Sequence, residues 1–168
     1  MAEEWIDKLA QDIKQKNRGD AQEYGRAQHY AGIVSARGKE FFVALVTCLR
    51  ENVDALRGQL QGDPTSSDTR LEIVKPDEVK IVRAGFPWVD AQLTHHDDAV
   101  ALEYAKGLGA KSLPVADEAA LDRKTRVFAF RAATDDTLFV EDAFAEPPDQ
   151  YNKPDDLARH ITEILFGT

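Results

Sequence analysis

Two histidines followed by two aspartates, Thr94-His-His-Asp-Asp98, make up the cluster of this sequence that gathers side chains able to bind a metal or move a proton near neutral pH. Neighbouring residues of an extended strand point to opposite faces, so His95 and His96 reach one ion only if the chain bends between them, and His95 with Asp97 is the better-placed pair. A protein site needs more ligands than two, and the rest would have to come from His29, His160 or a carboxylate elsewhere in the chain. His95, His96 and Asp97, with Asp98 beside them, are the candidate metal ligands, and a metal-assisted hydrolase is the enzymatic reading they allow. The competing reading is a solvated hairpin turn, for which aspartates are well suited.

Other residues able to do chemistry or make contacts are scattered. Tyr24, His29 and Tyr30 could line a pocket, but Tyr24 and Tyr30 lie about 240° apart on a helix, so packing and rim positions account for them better. Phe86 and Trp88, separated by a proline at the entrance to a strand, are aromatic candidates for a ligand or partner contact, together with Tyr30. Cys48, the only cysteine, is followed by Arg50 but has no histidine close in sequence, so it reads as a small core residue and not a nucleophile. Residues 132–168 hold nine acids against two bases without the spacing of a calcium loop. The phosphate-loop, dinucleotide, Gly-x-Ser-x-Gly, His-Glu-x-x-His and Cys-x-x-Cys patterns are all absent, so no catalytic residue and no cofactor is assigned.

Charge narrows the partners. Residues 1–60 balance nine Lys/Arg against nine Asp/Glu, so the net charge of −9 belongs entirely to the remainder of the chain. Affinity for nucleic acid comes mostly from basic side chains on phosphates, and no basic block exists to supply it. An acidic field likewise repels anionic membrane, and the longest nearly uncharged apolar run, Phe41 to Leu49, is too short to span a bilayer. A lone thiol and an acidic start without signal-peptide character lead us to expect a cytoplasmic protein.

The elements that position these residues follow from hydrophobic rhythm. Trp5, Ile6, Leu9 and Ile13 recur at helical spacing; Asn17-Arg-Gly-Asp20 then predicts an interruption, after which Tyr24 to Val34 forms a second, weakly held helix. Positions 42, 45, 49, 53, 56 and 60 make the strongest helical stripe, with Gly38 ahead of it as either a bend or a point of passage. After the Gly/Pro/Ser-rich connection at 61–69 the period changes from 3.6 to 2. Strands are expected around 70–73, 79–81, 88–95, 100–104, 125–131 and 137–142, with 107–122 as a crossing loop. A closing helix over 153–166 takes Asn152 as N-cap and Gly167 as a left-handed C-cap.

The sequence therefore predicts one α+β domain over residues 1–168: helical over 1–60, a mostly antiparallel sheet of five to six strands over 69–142, and the closing helix, with helices covering one face of the sheet. The functional expectation is a non-enzymatic module that binds a small ligand or a protein. A homodimer is a further expectation, through a second apolar edge that Phe41 and Val46 would give the strongest helix.

Overall fold

A computed structural model describes residues 2–61, 69–84, 88–107, 123–142, 144–145 and 148–167. Two helices pack against one face of a seven-stranded antiparallel sheet. The α+β architecture is the expected one, with one strand more than the upper expectation.

The front of the chain is a single helix, α1 (Ala2–Gln59), about 87 Å long at 1.5 Å per residue. Neither the break expected at Asn17–Asp20 nor a bend at Gly38 interrupts it. Residues 1–60 contain no proline, and a glycine within a helix costs only about 1 kcal/mol, which neighbouring turns can absorb. Gly38 marks a close approach: a Cβ added there would lie 3.1 Å from the Phe130 ring, so its lack of a side chain lets α1 settle onto the sheet.

The strands run as a meander, β1 (Thr69–Lys75), β2 (Glu78–Arg83), β3 (Trp88–His95), β4 (Ala99–Gly107), β5 (Lys124–Ala132), β6 (Leu138–Asp142) and β7 (Asp149–Tyr151), each paired antiparallel with the next. Alternation sends one set of residues to the helices. Val79 pairs Leu93, Leu93 pairs Leu102, Val100 pairs Phe128 and Phe130 pairs Val140, all buried. The opposite face carries Lys80, Gln92, Glu103 and Arg131, which are exposed or half-buried. β7 escapes the sequence reading because three residues following Pro147 and Pro148 are too few to show a period.

The closing helix, α2 (Pro154–Phe166), lies beside α1. Leu157, Ala158, Ile161 and Leu165 share one core with Leu45, Leu49 and Val53 of α1 and the inner face of the sheet. Phe41 and Val46 belong to this same core, so the second apolar edge expected to dimerise is covered by the chain's own sheet. The caps also differ from expectation. Lys153, not Asn152, is the N-cap and makes no side-chain bond, and Gly167 is extended (φ −70°, ψ 154°) instead of left-handed. Gly167 is nonetheless restrictive, since a Cβ there would meet the Glu163 carbonyl oxygen at 2.3 Å. From β4, the Lys106 ammonium donates to the carbonyls of Ile164 (2.8 Å) and Gly167 (3.3 Å), placing a cation at the negative end of α2. Among the described residues, no helix is long and apolar enough to cross a membrane.

Candidate functional site

The two halves of α1 have opposite fates. From Phe41 onward its apolar face is buried, whereas every described side chain from Glu4 to His29 is exposed. Residues 4–28 form an arm about 37 Å long that projects beyond the sheet. On it, Trp5 is 60% and Tyr24 66% exposed, with Ile6, Leu9 and Ile13 about half exposed. At about 100° per residue these five side chains fall within an arc of about 100°. Phe41, Phe42, Leu45 and Leu49 occupy that same arc, so the arm presents to solvent the outward continuation of the face that the rest of the helix packs on the sheet. Lys16 and Asp20, one turn apart, lie on the stripe at its middle.

The base of the arm is tied to the β5–β6 hairpin. His29 Nε2 lies 3.0 Å from Asp136 Oδ1, and Arg37 donates to the Asp136 carbonyl at 2.8 Å. Asp136 adopts the left-handed conformation (φ 64°) that the tight turn requires. Beside it, Asp135 accepts hydrogen bonds from the hydroxyl and backbone N–H of Thr137, which hold its carboxyl below the usual carboxylate range. A groove of about 580 Å³ opens here between α1 and the sheet, lined by Tyr30, Ala31, Val34, Asp97, Phe130 and Arg131 among others. It brings Tyr30, Asp97 and Asp98, three of the residues singled out by sequence, to one place.

The other candidates separate. His95 ends β3 on the inner face, its ring stacked on Phe42 (centroids 5.1 Å apart) and edge-on to Phe130 (5.8 Å). Burial pushes its pKa down from the ordinary 6.5, against the weaker opposing pull of Asp97 and Asp77, and its Nε2 is buried without a hydrogen-bond partner. His96, Asp97 and Asp98 are exposed on the following turn. Among the described residues, no three His, Cys, Asp or Glu side chains gather closely enough to hold a metal ion. Trp88 is buried against Gly107, where a Cβ would come within 2.8 Å of its indole nitrogen, and Phe86 lies outside the described residues. Cys48 is half-buried, and burial, followed by Glu51 and Asp155, pushes its thiol up, the reverse of what a nucleophile needs.

One cluster escaped the sequence reading. Asp142, fully buried at the end of β6, is paired with Arg126, accepts the Phe144 N–H at 3.1 Å, and lies 3.3 Å from His160 Nε2. Tyr151 stacks on His160 with centroids 5.2 Å apart. Burial raises the Tyr151 hydroxyl pKa, and Asp149 and Asp142 add to the shift. The available signal was Arg126 itself, a charge on the same face of β5 as Phe128 and Phe130, which demands a buried acid nearby. With its carboxylate paired to Arg126 and within hydrogen-bond reach of His160, the cluster joins β5, β6, β7 and α2.

Compared with protein-family models, with curated proteins and with solved structures, the chain matches none.

Proposed function

We propose that this chain is a protein-interaction module whose binding element is the projecting arm of α1. One observation carries the reading: an exposed apolar stripe of Trp5, Ile6, Leu9, Ile13 and Tyr24 on a helix that has left its own sheet behind. Most helical stability in proteins comes from packing an amphipathic face, and covering this one contributes roughly 25 cal/mol for each Å² removed from solvent. The arm's charge favours a protein over a membrane surface. Residues 4–28 carry Lys8, Lys14, Lys16, Arg18 and Arg26 against Glu4, Asp7, Asp12, Asp20 and Glu23, a balance of zero, whereas interfacial helices carry an excess of Lys and Arg on the polar face. Grooved helix recognition reads such anchors at three- and four-residue spacing.

Photo-crosslinking in the native cell tests this. A reactive group at Ala10, at the margin of the stripe, is expected to give protein adducts that vanish when Leu9→Glu and Ile13→Glu are added, while the same group at Lys80 on the open sheet face gives none. Equal adducts from both positions, or none from Ala10, would defeat the proposal.

A further inference from the structure

Resting on the arm as a binding element, we infer that its partner is a second copy of this chain, the two arms lying antiparallel about a two-fold axis at Arg18 and each Trp5 seating in the groove at the base of the other arm. The register comes from charge. Lys16 and Asp20 sit in the middle of the stripe, where a helical partner must cover them. A parallel, in-register pair sets Lys16 against Lys16 and Asp20 against Asp20, which repels at both levels. The antiparallel pair centred on Arg18 sets each Lys16 against the second copy's Asp20, and symmetry makes the contact twice. On the flank of the stripe, Asp12 then falls within two residues of the point where the second copy's Arg26 crosses, again with opposite sign.

Most apolar residues fit this register. Leu9 crosses Ala27, Ile6 crosses Tyr30 and Trp5 crosses Ala31, while Ile13 crosses Glu23 with Tyr24 beside it. Large side chains near one end of the stripe therefore meet small or flat ones near the other, which lets the helices approach closely. Trp5 arrives where the groove opens, over Ala31, Val34 and Phe130. Its volume, about 580 Å³, has room for an indole, and its lining sets apolar Ala31, Val34 and Phe130 beside polar Asp97, Asp98 and Arg131. The length of the arm and the place of the groove are thus matched: Lys16 and Asp20 set the centre, and the distance from Arg18 to Trp5 equals the distance from Arg18 to the groove.

Light scattering at micromolar concentration with charge exchange is the test, using the full chain. The unaltered protein is expected to be a dimer. Lys16→Asp and Asp20→Lys should each raise the dimer dissociation constant about tenfold or more, and the two together should restore it to within about threefold. Trp5 fluorescence, taken as the difference from a Trp5→Phe chain, should shift to the blue as the dimer forms. Because both substitutions lie on the exposed arm, the melting of the sheet should not move. A dimer that both single exchanges leave unchanged or strengthen, or that keeps Trp5 in water, overturns the inference and leaves the arm as a binding element. So does a monomer whose Ala10 position still crosslinks to a different protein. A monomer without adducts overturns both.

Discussion

Asp142→Ala should be among the most damaging single substitutions in the molecule, although the residue is a carboxylate in a strongly acidic chain. Asp142 is fully buried and is the shared acceptor for Arg126, for the Phe144 N–H and, at 3.3 Å, for His160. Truncating it leaves a guanidinium and a backbone N–H without their acceptor. Removing one member of a buried ion pair costs roughly 3 to 5 kcal/mol. Because Arg126 and His160 each keep about a quarter of their side-chain surface in water, the lower end applies and we expect about 3 kcal/mol. With a urea m-value of about 2 kcal/mol/M, the unfolding midpoint should fall by about 1.5 M. The paired change Asp142→Leu with Arg126→Met removes both charges together and should recover more than half of the loss. A midpoint shift below about 0.5 M for Asp142→Ala, or a double variant as unstable as the single one, would refute the account of this cluster.

Four further outcomes follow from the structure. Gly38→Val should destabilise by about 1 to 3 kcal/mol in urea melts, because its branches would enter the Phe130 ring, while Gly25→Ala, with open space around it, should raise arm helicity in circular dichroism by a gain of about 0.5 to 1 kcal/mol. His95 has a lowered pKa in the folded state, so the unfolded chain binds more protons there and stability should fall as pH drops from above 6.5 through the folded value; His95→Phe should flatten that part of the profile of unfolding midpoint against pH. Lys106→Met should cost about 0.5 to 1 kcal/mol and speed amide exchange in the last turn of α2, whose Ile164 and Gly167 carbonyls it now holds.

How much of this was legible in the sequence depends on the range of the interaction. The change of rhythm after residue 65 is local, and it correctly predicts β1 to β6, because Val79, Leu93, Leu102 and Phe130 alternate with residues of the open face. The continuity of α1 was not legible, since Asn17 to Asp20 reads as a break and Gly38 as either a bend or a point of passage, while the absence of proline over that stretch permits a helix. Periodicity also does not say what covers a stripe: Trp5 to Ile13 and Phe41 to Leu49 have the same pattern, and only the fold separates the exposed half from the buried one. The same limit applies to the polar residues. His95 faces the core and Asp97 solvent, and Asp142 meets His160 at a sequence separation of 18, a convergence that no spacing rule encodes.

The central claim is that the stripe on residues 4–28 is covered by a second copy of the chain, and amide hydrogen exchange across a concentration series tests it most directly. Protection over these residues should rise with protein concentration and level off as association completes, while the amides of residues 41–56 stay slow throughout. Arm amides that exchange like an unstructured peptide at every concentration, with mass and Trp5 emission constant, would contradict it.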